Sequence, residues 1–176
     1  VGAFALSDLT STTTATVNSG KASDITGIAS INTLTSNTVN VTADGSALDS
    51  DVGVGVAVGI NLAKVQNNAT LAGQGISAGS LAVTARMNSA AAGTNSFITN
   101  ATSGAGGTSV GVAGSLAVNL IDTQSLATIS ATAPVGINGG SITISAEDES
   151  VSTATAVPDT TGATGDVGVG ASVAIN

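Results

Sequence analysis

The sequence predicts an all-β chain wound as a parallel β-helix (β-solenoid) from tandem repeats of about 57 residues, and three observations predict it. The phrase VGVGVAVGINL at Val52 to Leu62 returns as VGVAGSLAVNL at Val110 to Leu120 and begins again as VGVGASVAIN at Val167 to Asn176, with spacings of 110 − 52 = 58 and 167 − 110 = 57. Within each copy branched aliphatic and small residues alternate, the period of a pleated strand whose successive side chains leave on opposite sides. The 23 glycines disfavour helix, where each costs roughly 1 kcal/mol relative to alanine. An antiparallel β-sandwich or meander is the alternative architecture.

The chain reads as one repetitive domain with units 1–51, 52–109 and 110–166 and a partial unit 167–176, a segment of a longer chain. The first unit diverges most: Leu6 of its opening VGAFALSD falls where Ile60 and Val118 fall. A second recurrent strand follows, Ala15-Thr16-Val17 matching Ala69-Thr70-Leu71 and Ala127-Thr128-Ile129, with alanine and aliphatic inward and threonine outward. A third is Val39 to Ala43, echoed by Leu81 to Ala85 and Ile142 to Ala146. Apolar residues there alternate with small or polar ones, as on a strand with one dry and one wet face. The Gly/Ser/Thr-rich stretches Thr99 to Ser109 and Pro158 to Asp166 read as loops between strands.

Three strands per unit suggest coils of roughly 19 residues, three to a unit, stacked about 4.8 Å apart. The aliphatic face of the opening strand (Val52, Val54, Val56, Val58, Ile60 and their copies) is then the expected inner rung. Its opposite face is uniformly small: Gly53, Gly55, Ala57 and Gly59; Gly111, Ala113, Ser115 and Ala117; Gly168, Gly170, Ser172 and Ala174. A solvated face would carry Thr, Lys or Glu, so something packs there. Either another part of the same chain approaches closely, or a neighbouring copy mates with the small face in lateral self-association.

The stretches VAVGINLAKVQNNATL with GSLAVTA in the second unit, and SLAVNLIDTQSLATI with GSITISA in the third, resemble the tandem β-strand repeats of giant bacterial surface adhesins of the filamentous-haemagglutinin and leukotoxin-like kind. The resemblance implies a structural or adhesive module of an extracellular surface filament or adhesin stalk, built as a parallel β-helix, with no catalytic residues in its repeats. Its partners would be further repeats of the same chain and homotypic lateral neighbours.

Composition bounds the chemistry. Histidine and cysteine are both absent, which removes imidazole acid/base work, thiolate metal sites and disulfides. A net charge of −8, with Lys21, Lys64 and Arg86 the only basic side chains, leaves no basic stripe for nucleic acid. No enzyme and no cofactor are expected; Glu147-Asp148-Glu149, and Asp49 with Asp51, could hold calcium weakly but read as solvated acidic turns. The longest apolar run, Val52 to Ile60, is too short and glycine-rich for a membrane-spanning helix, which needs about 20 residues. Three glycosylation sequons begin at Asn40, Asn68 and Asn100, in a chain where Asn and Thr are frequent enough to produce them by chance. A second functional expectation is a glycan- or surface-binding module that uses exposed Thr/Asn rows and variable loops. Thr12, Thr14 and Thr16 make one such row.

Overall fold

The computed structural model describes residues 1–89, 93–159 and 167–176, and within them the side chains outside 48–50, 88–89, 93–94 and 107–108. The described chain is all β: β1 (Gly2–Ser19), β2 (Ser23–Leu34), β3 (Thr38–Gly73), β4 (Ile76–Arg86), β5 (Asn88–Ser89), β6 (Gly93–Ala131), β7 (Gly136–Ile137), β8 (Ile142–Glu147), β9 (Ser150–Asp159) and β10 (Val167–Ile175). Apart from a short antiparallel pairing of β5 with the start of β6, every strand pairs in parallel with its counterpart in the neighbouring coil. This is a parallel β-helix.

The recurring phrases stack on one another. Val54 pairs with Val112, and Val112 with Val169; Leu6 pairs with Ile60, and Ile60 with Val118. Since the hydrogen-bonded neighbour lies one whole repeat away, each repeat winds once. The expectation of roughly 19 residues per coil is corrected to one coil per repeat, because the first two recurrent strands run on as one wall and the third lies on the shorter walls of the same turn.

A coil starts along a long wall, formed by β1, residues 52–73 of β3, residues 110–131 of β6, and β10. It turns into a first short wall (β2, β4, then β7 and β8) and a second short wall (38–47 of β3, 95–105 of β6, then β9). The ladder continues around the corners: Gln74 N–H donates to the Ser19 carbonyl at 2.9 Å, and Met87 N–H to the Glu147 carbonyl at 2.9 Å. At the first corner Gly73 takes φ +82°, a left-handed conformation that a side chain would strain.

This arrangement reassigns the third recurrent strand. Leu81 to Ala85 stacks on Ile142 to Ala146 as expected, but its partner in the first coil is Ala29 to Thr33. Val39 to Ala43 instead pairs with Phe97 to Ala101 on the second short wall. Both segments alternate apolar and polar residues, and alternation alone does not say which wall a strand belongs to. Thr99 to Ser109 is likewise no loop: all of it lies within β6, paired on both sides up to Gly104. Of the Pro158 to Asp166 stretch, Pro158 and Asp159 end β9, and residues 160–166 lie outside the described residues.

The core changes character along the coil. Where the long wall faces the first short wall it is aliphatic, with Leu71, Ala69, Leu81 and Val83 buried. At the corner between the short walls Phe97 and Met87 close over Val65 and Ala63. At the far end only alanines meet: Ala43, Ala57, Ala101 and Ala117, flanked by Ala3, Ala5, Ala154 and Ala156. Of the two aromatics, Phe97 is buried, and Phe4 stands outside at 67% exposure.

Candidate functional site

The long wall has two faces, and the sequence separates them residue by residue. The twelve small residues line one face, eight of them inside the coil: Gly53, Gly55, Ala57, Gly59, Gly111, Ala113, Ser115 and Ala117 are buried. Gly168, Gly170, Ser172 and Ala174 continue the same columns in the last coil and are exposed there. The second short wall fills the space opposite. A Cβ built on Gly55 would collide with the carbonyl oxygens of Gly104 and Gly45, and one on Gly45 with that of Val56. Two backbones meet here with no room for side chains, so the small residues form a seam.

The aliphatic face is therefore outside. Val52, Val54 and Val56 are exposed, as are Val112, Leu120, Val167, Val169, Val173 and Ile175, while Val58, Ile60, Leu116 and Val118 are half-buried by their lateral neighbours. The expectation that these residues form the inner rung is reversed. Period-2 alternation fixes which residues share a face, and the steric demand of the facing backbone decides which face turns inward. For lateral contact the surface on offer is this row of valines, isoleucines and leucines, since in the two middle coils the small face already packs against the chain's own opposite wall.

Past residue 62 the assignment inverts. Ala63, Val65, Ala69 and Leu71 point in and are buried; Lys64, Gln66, Asn68 and Thr70 point out. The outer columns there are polar except at Leu126: Thr10 over Lys64 over Asp122, Thr14 over Asn68 over Leu126, Thr16 over Thr70 over Thr128. Lys64 and Asp122 lie 3.9 Å apart, and Arg86 and Glu147 3.4 Å apart, each pair in register on adjacent strands. Such exposed pairs contribute up to about 1 kcal/mol each. The outer face thus has an apolar half and a polar half.

Buried asparagines tie the walls together. Asn119 donates through Nδ2 to the Thr153 carbonyl at 2.7 Å and to Ser152 Oγ at 3.2 Å, and its Oδ1 accepts from the Thr99 hydroxyl. Asn95 Oδ1 accepts from the Asn37 N–H at 2.7 Å while its Nδ2 donates to the Met87 carbonyl at 3.1 Å. Asn67 Nδ2 donates to the Arg86 carbonyl at 2.6 Å. Asn61, directly beside Asn119 in the ladder, is equally buried but leaves both amide atoms without a hydrogen bond. The position equivalent to Thr99 beside it is Val41, which has no hydroxyl to offer.

The expected acidic turns sit apart from these features. Glu147 pairs with Arg86 and accepts from Ser145 Oγ, and Asp148 accepts from Ser150 Oγ. The side chain of Asp49 lies outside the described residues, and among those described no three acidic side chains gather as a cation site. The three sequon asparagines, Asn40, Asn68 and Asn100, all take outward positions. No described helix is long and apolar enough to cross a membrane.

Sequence reasoning points to the small face as a contact surface, whereas the face left exposed in the two middle coils is the aliphatic one. The signal was present in the same alternation, obscured by the assumption that aliphatic means buried. Comparison of the chain with protein families, curated proteins and solved structures finds no match.

Proposed function

We propose that the chain is a structural extension module of an extracellular surface filament or adhesin stalk. One observation carries the reading: every repeat adds one coil in register, so about 57 residues lengthen the rod by about 4.8 Å without changing its cross-section. Among the described residues β1 pairs only with β3 and β10 only with β6, which leaves a strand edge at each end of the long wall into which a further coil adds. Hydroxyl and amide side chains, with only 8% of residues charged, suit an outer surface in bulk water on a long array.

Electron diffraction from the native material tests this: a continuous rod with an axial repeat of about 4.8 Å is expected, together with cleavage of the chain by protease added to intact cells. Compact isolated particles, or full protection inside intact cells, would overturn it. The polar half of the outer face supports a second reading, recognition of a glycan or another flat surface by the Thr10, Thr12, Thr14 and Thr16 row and the columns beside it. A glycan array tests it, with Thr14→Ala and Thr16→Ala expected to lower the signal.

A further inference from the structure

The apolar half of the outer face is as large as the largest apolar patch a folded chain ordinarily leaves to water. Over residues 54–62 it runs about 30 Å along the strand in the two middle coils and about 19 Å across the four coils that share the columns of Val56, Val58 and Ile60, roughly 500 Å² in projection. Single exposed aliphatics are ordinary, but contiguous patches of several hundred Å² mark interaction sites. We propose that this face docks against the same face of a second copy of the chain, sheet on sheet.

Three features select a second copy. Size is the first: protruding side chains raise the accessible area above the projected one, into the range of about 600–1,000 Å² that each partner contributes to a stable interface. Relief is the second. The column Gly2, Val56, Gly114 and Ala171 is low on either side of Val56, whereas the columns beside it, with Val54, Val112 and Val169 on one side and Phe4, Val58, Leu116 and Val173 on the other, are ridges. A face bearing both fits itself after a two-fold rotation, as isologous interfaces require, at the roughly 10 Å separation of packed sheets. Charge is the third. The chain carries −8, yet these columns hold a single acid, Asp8, at one corner beside Leu62. Two such chains repel everywhere except across a neutral apolar face, and added salt strengthens that contact by screening the rest.

The inference stands on the 176-residue chain itself and does not rest on the extension-module reading; a monomer would leave the axial repeat intact, and loss of the axial repeat would leave the dimer intact. Sedimentation at roughly 100 μM, where an interface of micromolar affinity is filled, is expected to give twice the 16.5 kDa of one chain, more completely as salt rises. The double variant Val112→Lys with Leu116→Lys is expected to weaken the dimer at least 100-fold while keeping the strand signal in circular dichroism. Thr128→Lys, on the polar half of the same wall, is expected to leave the mass unchanged. Three results would overturn the proposal: a wild-type chain of single mass, a series of masses that grows with concentration regardless of the double variant, which would put the contact on strand edges, or a monomer that floats with phosphatidylcholine vesicles, which would put lipid on this face.

Discussion

Within the long wall, residues 52–62 and 63–73 of β3 are one continuous strand with the same period and opposite polarity. The first half turns glycine and alanine inward and its valines outward; the second turns valine and leucine inward and polar residues outward. What differs is the opposing wall. Opposite Leu71 the first short wall leaves space for side chains, and Leu81 and Val83 fill it. Opposite Gly55 the second short wall brings its backbone into contact, so only hydrogen or a methyl fits. Burial therefore follows the gap between walls rather than the hydrophobicity of the residue. Each aliphatic held outside forgoes ~1.5–3 kcal/mol of burial, which is the driving force available to a partner.

Substitutions that exchange the two halves' rules are the strongest way to break this comparison. Gly55→Val should cause the largest loss, about 3 kcal/mol or more, because the added atoms meet the Gly104 and Gly45 carbonyls, part of a backbone that cannot rotate away. A urea midpoint close to wild type would show that the walls can part. Leu71→Ala, in the other half, should lose about 2–4 kcal/mol by leaving a cavity in the aliphatic core, seen as a lower midpoint at unchanged slope.

The two stacked asparagines sharpen the contrast further. Asn119→Leu should lose about 1–3 kcal/mol, since it orphans the Thr99 hydroxyl and frees the Thr153 carbonyl. Asn61→Leu should be neutral or stabilising in the same urea titration, because the amide it removes has no partner to lose. Smallest of all, Val54→Thr should shift stability by no more than about 0.5 kcal/mol, as befits a side chain on the outer face. A loss as large as that of Leu71→Ala would place Val54 in the core after all.

Much of the ladder was legible in advance. Repetition of whole phrases predicted that Val54, Val112 and Val169 stack, that Leu6 joins Ile60 and Val118, and that Ala69 and Leu71 point inward with Thr70 outward; all of these hold. Three features were not legible. The number of coils per repeat depends on how far the chain travels before it returns, a matter of corners such as Gly73 that short motifs do not mark. The strand at Thr99 to Ala105 resembles a linker because the seam demands the same small residues that linkers use for flexibility. Val39 to Ala43 resembles the strands of the other short wall because every wall shares one alternating pattern.

By itself the sequence determined strand content, parallel stacking and the partition of each strand into two faces, because period and repeat are properties of the chain read in one dimension. Which face turns inward was decided only in three dimensions. Inside and outside are defined by the distance to a wall some ten to sixty residues away, and where that wall touches, as Gly104 touches Gly55, the smallest side chains win the interior.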